Sequence, residues 1–448
     1  PQRQPMNMQE HFDIVIHGAT VMTVNDYSEI IDAGLICIKG NRLVRIENCP
    51  SPAAIPSAVK TIDAHGMLAL PCLVNTHTHM PMTLFRGLAD DLPLQQWLEK
   101  HIFPDESQHI GPESVKTGSL LACAEMILSG TTTCCDGYFL EDEAANAMLQ
   151  SGMRAVLGQG VIDMPAPGVP NTADNIAVAE RFVSRWRETS TRLHPSIFCH
   201  APYTCSAETL RAAKKAASTA GARFQIHVAE TRLEANLLGD GTTSPVKFLH
   251  RLGLLDADTL LIHCVWLDES DIKIIATSGA CVAHCPESNM KLASGIAPVV
   301  ELLEASVPVG LGTDGCASNN NLDLFQEMDT TAKLHKVHRE DPTAADAGSV
   351  LRMCTAAAAK AVGLGEEIGT LECGKKADLI LLETRQPHLV PLYHPVSQIV
   401  YSAKGSDVHT SIIDGRVVME NRRLHTLDLP QIMDRANELG RNIQRTDR

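Results

Sequence analysis

The sequence lacks the features that mark membrane-spanning, secreted and nucleic-acid-binding proteins. No segment of its 448 residues approaches the roughly 18 consecutive apolar residues of a membrane span. The first residues, PQRQPMNMQEHFDIVI, contain no basic segment followed by an apolar one, so no secretory signal is predicted. The net charge is −15 and there is no basic tract, which argues against a nucleic acid or an anionic membrane as partner.

A C-x-x-C motif is also missing, although the sequence contains 14 cysteines. Many of them lie in apolar segments, for example Cys37, Cys199, Cys264 and Cys281. In so long a chain, this distribution is typical of buried free thiols in a reducing cytosol and argues against a disulfide framework. We therefore expect a cytoplasmic protein without a cysteine-ligated metal.

Strand and helix patterns alternate through the middle of the chain, and a loop containing Trp97 and Glu106 is predicted after the first strand. The predicted strands are residues 68–75 and the segments TTTCCDG, RAVLGQGV, SIFCHA, RFQIHVAE, TLLIHCVW, ACVAHC and VPVGLGTDG. The helix after SIFCHA is predicted to begin after Ser206, a favourable N-cap, and to end at Gly221. Eight strands with intervening helices predict an α/β fold, a (β/α)8 barrel of the TIM type.

Two β-rich segments flank this region. Residues 12–66 and 371–423 contain short alternating apolar runs, and neither segment can bury a large core alone. We expect the two flanks to pair into one small β-sandwich domain built from both termini. The predicted division is 1–67 for its N-terminal part, 68–370 for the barrel, and 371–448 for its C-terminal part with a tail.

Residues able to bind a metal or transfer a proton occur at the ends of six predicted strands. These residues are His77 and His79 on the first strand, then His200, His227, His263, His284 and Asp314. Barrel active sites are assembled at the C-terminal ends of the strands, so these side chains are expected to converge. A doubly wound sheet would not bring six strand ends around one axis.

His77, His79, His227 and Asp314 form the predicted metal site. Residues i and i+2 of a strand point to the same face, so His77 and His79 project side by side. An isolated His-x-His pair is also compatible with a polar strand end, but three imidazoles and a carboxylate suit Zn²⁺ or Fe²⁺ with a completing water. The fourth strand offers His200 and no lysine, so a two-metal site bridged by a carbamylated lysine lacks its bridge. We expect one divalent metal per chain, with zinc favoured over iron.

Glu230 and His263 are predicted to act beside this metal. A metal lowers the pKa of a bound water from about 15.7 towards roughly 7. Asp314 could accept the proton of the water, Glu230 could deliver a proton to a ring nitrogen of the substrate, and His263 could stabilise an oxygen that becomes anionic. The alternative for Glu230 is a surface carboxylate at the start of the next helix.

The segment GLGTDG, Gly310 to Gly315, matches the G-x-G-x-x-G pattern of dinucleotide-binding proteins. In those proteins a helix begins inside the motif and an acid follows at the end of the next strand. Here CASNNNLDLFQEMD follows, and a helix pattern begins only near Leu322. We therefore predict that Asp314 is the functional residue and that the glycines serve a tight turn.

The combined pattern resembles the amidohydrolase superfamily. A His-x-His on strand one, histidines on strands five and six and an aspartate on strand eight, in a barrel flanked by a β-sandwich, are similar to that superfamily. More narrowly, NTHTHMPMTLFRGLADDLPLQQWLE, HAPYTCS, HVAET, HCPESNMKLASG and GTDGCASNNNLDLF resemble segments of the 5-methylthioadenosine/S-adenosylhomocysteine deaminases. With the flanks, the resemblance covers nearly the whole chain.

This resemblance implies a metal-dependent aminohydrolase that replaces the 6-amino group of an adenine nucleoside with oxygen and releases ammonia. At matching positions it implies that Glu106 binds the ribose hydroxyls, that Trp97 packs nearby and that His200 contacts the substrate. A carboxylate suits a cis-diol because two hydroxyl donors meet two acceptor oxygens. The expected partner is a purine nucleoside, either 5′-methylthioadenosine, S-adenosylhomocysteine or adenosine, and a homo-oligomer is compatible with the sequence.

Two alternatives remain open from the sequence. Related amidohydrolases act on guanine, a pterin or an s-triazine, and activity on triazines but not on nucleosides would favour one of them. Superfamily members that have lost metal ligands serve as non-catalytic assembly proteins. The complete predicted ligand set argues against such a protein.

The segment from Gly158 to Glu180 contains no lysine or arginine. In family members that favour S-adenosylhomocysteine, arginines in this region can hold the amino-acid carboxylate. Here Met164, Pro165, Pro167 and Val169 are predicted to form an apolar wall that favours a methylthio group over a carboxylate. We therefore expect a higher kcat/KM for 5′-methylthioadenosine than for S-adenosylhomocysteine.

Overall fold

The two ends of the chain meet in one mixed sheet. The structure is a computed structural model that describes residues 11–49, 51–238 and 244–446. The strands from the N-terminal side are β1 (His11–Met22), β2 (Ile30–Lys39), β3 (Arg42–Asn48), β4 (Ser57–Asp63) and β5 (Met67–Pro71). β1 pairs with β2 in antiparallel register and with β4 and β5 in parallel register. β5 connects this half of the sheet to strands from the C-terminal side.

Parallel strands of the described chain form the eight-stranded barrel that the sequence predicts. They are β6 (Leu73–Thr78), β7 (Thr131–Tyr138), β8 (Arg154–Val161), β9 (Leu193–Cys199), β10 (Phe224–Val228), β11 (Thr259–His263), β12 (Cys281–His284) and β13 (Val309–Leu311). Each strand pairs with the next one along the chain. The Asp314 N–H, just after β13, donates to the carbonyl of His77 in β6 at 3.0 Å. The first and last strands therefore lie side by side.

The barrel strands alternate with helices, and two short helices precede α3. The segment after β6 contains α1 (Leu94–Trp97), a π turn (Leu98–Ile102) and α2 (Phe103–His109). The helices that follow are α3 (Pro112–Leu128), α4 (Glu141–Ser151), α5 (Asn175–Trp186), α6 (Ala207–Ala220), α7 (Glu234–Leu237), α8 (Pro245–Arg251), α9 (Glu269–Ser278), α10 (Pro286–Lys291), α11 (Val299–Glu304), α12 (Leu324–Arg339), α13 (Ala347–Met353), α14 (Ala356–Ala361), α15 (Pro395–Tyr401) and α16 (Leu429–Thr446). The predicted cap of α6 is confirmed, because the Ser206 hydroxyl accepts the Thr209 N–H and Gly221 is left-handed.

Strands from the C-terminal side complete the mixed sheet. They are β14 (Leu379–Glu383), β15 (Val408–Ile413), β16 (Arg416–Glu420) and β17 (Arg423–Leu424). β14 pairs with β5 in antiparallel register, which confirms the predicted small β domain from both termini. Arg154 at the start of β8 joins it to the barrel through a fully buried ion pair with Asp378, 2.7 Å from Nε to Oδ2.

Three segments differ from the sequence prediction. The single strand predicted at 68–75 is two strands, because the chain leaves the mixed sheet after Pro71 and enters the barrel at Leu73. Both strands are buried, so one uninterrupted apolar run gives no sign of the break. The stretch predicted as a loop around Trp97 and Glu106 is helical, and the predicted C-terminal tail contains α16, which packs on α3.

The cysteines and the helices of the described residues were both the subject of predictions from the sequence. The 14 cysteines are all free, as predicted, and only Cys49 and Cys373 are not buried. Within the described ranges, no helix is long and apolar enough to cross a membrane.

Gly310 and Gly312 of GLGTDG serve close packing and not a turn. A Cβ on Gly312 would lie 2.8 Å from the His77 backbone nitrogen, and one on Gly310 would lie 2.2 Å from Thr76 Cγ2. Neither of the two has left-handed backbone, whereas Asp314 does, with φ of 60°. The predicted turn role is therefore wrong for these two glycines, which let the last barrel strand approach the first. Gly315 does begin a turn, in which its carbonyl accepts the Ser318 N–H at 3.0 Å.

We expect the Gly312→Ala variant to be destabilised by about 1–3 kcal/mol, because overpacking against backbone cannot relax by side-chain rotation. Thermal unfolding measures this loss. Gly440→Ala is the matched control, since a Cβ there meets no atom within 4 Å. Equal unfolding temperatures for Gly312→Ala and the unchanged protein would show that the strands can move apart.

Candidate active site

The strand ends converge on one cavity at the C-terminal face of the barrel. The space between its walls, part of which is open to solvent, is about 660 Å³. The predicted site residues that line it are His79, Trp97, Glu106, His200, His227, Glu230, His263 and Asp314. His77 is fully buried beside Asp314. The structure thus brings these residues together. His284, which also ends a barrel strand, does not line the cavity and lies against His335, with the two Nε2 atoms 3.3 Å apart.

The four predicted metal ligands lie close together. The Nε2 atoms of His77 and His79 are each 3.3 Å from Asp314 Oδ1, and the Nε2 atoms of His77 and His227 are 3.1 Å apart. The ligand atoms of His77, His227, His263 and Asp314 all lie within 4.8 Å of one another. Imidazole and carboxylate groups of this kind bind Zn²⁺ or Fe²⁺.

The hydrogen bond of His79 shows that the cluster fits a cation. His79 Nδ1 lies 2.5 Å from the carbonyl oxygen of Gly137. A carbonyl only accepts, so Nδ1 carries a hydrogen and Nε2 is the ring nitrogen left to face the cluster. Nε2 lies 3.3 Å from Asp314 Oδ1, so the ring nitrogen and the carboxylate oxygen are placed to share one cation.

Burial keeps other imidazoles of the cluster neutral. It lowers the pKa of His77 to about 4 and the pKa of His227 well below its usual value. A neutral ring nitrogen is the form in which histidine binds a metal. The donor atoms, their protonation and their burial therefore all suit a divalent cation.

Asp314 is held in one orientation. Its Oδ2 accepts hydrogen bonds from Ser288 Oγ at 2.7 Å and from Ser318 Oγ at 2.9 Å. Burial opposes its ionisation, but hydrogen bonding with His77 outweighs burial and holds the pKa of Asp314 well below its usual range. The ionised carboxylate therefore directs Oδ1 at His77 and His79.

Glu230 lies beside this cluster and not on the surface. Its buried carboxyl is 3.7 Å from His263 Nε2 and accepts a hydrogen bond from Ser294 Oγ at 3.4 Å. Burial, reinforced by the negative charge of Asp314, raises the pKa of Glu230 to about 8. Glu230 therefore holds a proton at neutral pH and can donate it.

Glu234, which the sequence reasoning missed, fixes the turn that carries Glu230. Its carboxylate oxygens accept the backbone N–H groups of Ala229 and Glu230, both at 2.7 Å. Ala229 has a φ of 53°, so this turn needs support. The available signal was a second acid, four residues after Glu230 in HVAETRLE.

His263 is oriented as a hydrogen-bond donor to the cavity. Asn289, also missed from the sequence, donates through Nδ2 to His263 Nδ1 at 3.1 Å. Burial lowers the pKa of His263, so the ring is neutral and its one hydrogen lies on Nε2. Although His263 lies within the ligand cluster, this tautomer suits donation to a substrate oxygen and does not suit metal binding.

Glu106 and Trp97 lie in the wall formed by the helical segment 94–109. Both side chains are buried. Tyr138 Oη donates a hydrogen bond to Glu106 Oε1 at 2.6 Å. Burial raises the pKa of Glu106 to about 7, although the Tyr138 hydrogen bond opposes the shift. Tyr138 is a third residue that the sequence reasoning missed.

His200 follows β9 and is partly exposed to the cavity. Its Nδ1 lies 2.9 Å from Thr204 Oγ1, and its ring meets Phe103 edge-on with centroids 5.9 Å apart. Burial lowers the pKa of His200 to about 4. A neutral imidazole is available for substrate contact, and this role stays a prediction.

The loop predicted to hold the substrate tail does not line the cavity. Met164, Pro165, Pro167 and Val169 are absent from the lining, so this prediction is wrong. Asp163 is used to cap α6, where its carboxylate accepts the Ser206 N–H at 2.6 Å. The apolar wall consists of Leu94, Leu98, Ile102 and Phe103 of the segment 94–109, and Phe139 and Leu292 line the cavity beside it. Of the described side chains, none that lines the cavity is a lysine or arginine.

Known proteins share this arrangement over nearly the whole chain. A 5-methylthioadenosine/S-adenosylhomocysteine deaminase of Syntrophobacter fumaroxidans is 46% identical over 96% of this chain and 98% of its own length. A 5′-deoxyadenosine deaminase of Methanosarcina mazei is 45% identical, also over 96% of this chain and 98% of its own. The crystal structure of an adenosine deaminase from Xanthomonas campestris with bound zinc is 35% identical, with a TM-score of 0.94 over 97% of this chain and 99% of that one.

The family match covers the barrel and reaches into the mixed sheet. The amidohydrolase family matches residues 68–418, from β5 to β16. These residues include every predicted metal ligand, together with Glu230 and His263. The resemblance noted from the sequence motifs is thereby confirmed, and the chain belongs to the amidohydrolase family.

Proposed function

We propose that this protein hydrolyses the 6-amino group of adenine nucleosides with a small apolar 5′ group, 5′-methylthioadenosine foremost, and releases ammonia. The observation that carries the proposal is the position of a protonated Glu230 beside a His–Asp cation site, in a cavity whose outer wall holds Glu106. Relatives that are 45–46% identical and are named 5-methylthioadenosine/S-adenosylhomocysteine and 5′-deoxyadenosine deaminases support the substrate class.

We assign the cation site to His77, His79, His227 and Asp314. A single divalent metal bound there would lower the pKa of a water molecule towards about 7 and so prepare it for attack on C6. Zinc is favoured over iron because the structure of the Xanthomonas relative holds zinc. The cavity lining of the described chain offers no lysine to bridge a second metal.

Side chains of the protein accept and donate the protons of the reaction. Asp314, ionised and held 3.3 Å from two imidazoles, accepts a proton from the attacking water. Glu230 delivers its proton to the adjacent ring nitrogen, and His263 Nε2–H donates to the oxygen that forms at C6. Asp314 then passes the proton it took from the water to the leaving amino group, and the proton of the C6 hydroxyl returns to Glu230. The carbon–nitrogen bond breaks, ammonia leaves, and the product carries a carbonyl oxygen at C6.

The outer wall binds the sugar. Glu106 accepts the two ribose hydroxyls, Trp97 packs beside them, and His200 contacts the nucleoside. The apolar side chains of the helical segment 94–109 line the cavity on the side assigned to the 5′ group. We place the protein in the cytosol, where the reducing conditions suit its 14 free cysteines.

Isotope incorporation tests the hydrolytic reaction. Purified protein is incubated with 5′-methylthioadenosine in H₂¹⁸O, and the product is analysed by mass spectrometry. We expect one ¹⁸O atom at C6 and one ammonia per product. A product without the isotope, or loss of the ribose before the amino group, would contradict the proposal.

We expect a higher kcat/KM for 5′-methylthioadenosine than for S-adenosylhomocysteine. The order of kcat/KM values is the one predicted from the sequence, but the reason for it is different. The apolar wall comes from the segment 94–109 and not from the loop after β8. A homocysteine carboxylate loses a charge-assisted partner worth about 1.5–3 kcal/mol, which corresponds to roughly ten- to over a hundredfold. Adenosine should be accepted without necessarily being favoured.

Measuring the three nucleosides under one condition checks this order. Arg232 lies in an adjoining surface cleft, where its guanidinium stacks on the Trp266 ring at 3.9 Å. The Arg232→Ala variant is therefore the control, and its activity on S-adenosylhomocysteine should not change. A clear preference for S-adenosylhomocysteine, lost in Arg232→Ala, would show that the tail is held outside the apolar wall.

A further inference from the structure

Tyr138 connects parts of the site that come from different segments of the chain. It ends β7, and its hydroxyl donates to Glu106 Oε1 at 2.6 Å between two buried side chains. In the described chain, Tyr138 is the hydrogen-bond partner of the Glu106 carboxylate. Glu106 belongs to α2, outside the barrel, so this bond attaches the outer wall to a barrel strand.

The backbone at Tyr138 is fixed by the strand end that also supports His79. The carbonyl of Gly137 accepts from His79 Nδ1 at 2.5 Å, and the Tyr138 N–H donates to Glu141 Oε1 at 2.9 Å. Residue 137 has no room for a side chain, because a Cβ would lie 2.6 Å from the Phe198 ring. These contacts hold the backbone from which the Tyr138 hydroxyl reaches Glu106.

We propose that Tyr138 is a positioning residue for ribose recognition, which orients the Glu106 carboxylate towards the two hydroxyls of the nucleoside. The inference rests on the proposed function, because it assumes a ribose in the cavity. Each carboxylate oxygen has two acceptor positions. Oε1 can accept from Tyr138 and from one ribose hydroxyl, while Oε2 accepts from the other.

Tyr138 also favours the acceptor form of Glu106. Burial favours the neutral acid, and the hydrogen bond from Tyr138 opposes this effect of burial on the pKa of Glu106. Burial raises the pKa of Tyr138 itself well above its usual value, so the phenol remains a donor. Removing the hydroxyl would leave the Glu106 carboxylate without a fixed orientation and without the hydrogen bond that favours its ionised form.

This role predicts an effect on binding of the diol and not on the chemistry at C6. For Tyr138→Phe we expect KM for adenosine to rise about 10- to 100-fold, the loss typical of a charge-assisted hydrogen bond. kcat should change by less than about threefold. With 2′,3′-dideoxyadenosine, which has no diol, the substitution should have little effect on KM.

Steady-state kinetics with these two substrates tests the role in wild type, Tyr138→Phe, Glu106→Gln and the double variant. The KM of the double variant for adenosine should be no higher than that of Glu106→Gln alone, since both substitutions disrupt the same interaction. Tyr203→Phe is the matched control: it deletes a hydroxyl from the same cavity and should leave the ratio of the two KM values as in wild type. Metal content and unfolding temperature show whether each variant is folded.

Three outcomes would overturn the assignment. They are an unchanged KM of Tyr138→Phe for adenosine, an equal rise in KM for both substrates, or additive rises in KM in the double variant. If Tyr138→Phe does not fold, Tyr138→Leu, which likewise has no donor, must show the same diol-specific rise in KM. If wild type deaminates no adenine nucleoside, the proposed function fails and this inference with it. If wild type is active and Tyr138→Phe binds adenosine normally, only the assignment of Tyr138 fails.

Discussion

The Glu230→Gln variant is expected to lose about 10²- to 10⁴-fold in kcat, the range for removal of a general acid–base group. Glutamine keeps the size of the side chain and can still accept from Ser294, but it cannot deliver a proton to the ring. The carboxyl is suited to this task because burial raises the pKa of Glu230 to about 8, so it is protonated at neutral pH. KM should change much less than kcat, since the group acts in the transition state.

Two measurements separate a proton donor from a structural carboxyl in this variant. Its metal content should equal that of wild type, because Glu230 is not among the proposed ligands. Glu208→Gln, an exposed substitution in the first turn of α6, is the control and should keep wild-type kinetics. A near-normal kcat for Glu230→Gln would remove Glu230 from the mechanism.

Removal of the metal is expected to reduce activity to the background rate. The three imidazoles and one carboxylate of the site include no group that could itself activate a water to the same degree as a metal. Dialysis against a chelator should give an inactive protein that is still folded, since the barrel has its own apolar core. One equivalent of zinc per chain should restore the activity, as measured by titration with parallel metal analysis.

The His77→Ala/His79→Ala variant examines the same point without a chelator. Both rings approach Asp314 Oδ1, so their loss should abolish tight metal binding and activity together. Two tightly held metals per chain in the wild-type protein would contradict the one-metal site. Full activity of the double variant would contradict the ligand assignment.

The residues at the strand ends could be predicted because strand periodicity is short and local. The spacing of His77 and His79 places both rings on one face, and barrel topology then brings His227, His263 and Asp314 to the same end. None of these steps requires knowledge of side-chain packing. The same reasoning located the barrel strands and the mixed origin of the small β domain.

Residues that support the site could not be found in this way. Tyr138, Glu234 and Asn289 act through single hydrogen bonds to Glu106, to the turn at Glu230 and to His263. Such bonds depend on the path of loops between elements, which alternation of apolar residues does not encode. The split of the apolar run at Cys72 was hidden for a related reason, because both of its halves are buried.

An apolar wall in the cavity was predicted from the sequence but was assigned to the wrong segment. The loop after β8 lacks basic residues, but it packs outside the cavity, where Asp163 caps α6. The wall is built by the segment 94–109, whose pattern predicted a loop and whose helices are interrupted by a π turn. The expected preference for an apolar 5′ group therefore depends on that segment and on the lack of basic residues in the described lining.

Ammonia release across a substrate panel tests the central claim most directly. The panel comprises 5′-methylthioadenosine, 5′-deoxyadenosine, adenosine, S-adenosylhomocysteine, guanine, a pterin and a chlorinated s-triazine, each incubated with the zinc-loaded protein. We expect ammonia from the adenine nucleosides, with the highest kcat/KM for 5′-methylthioadenosine, and no chloride from the triazine. Turnover of guanine, the pterin or the triazine with no release of ammonia from any adenine nucleoside would contradict the account.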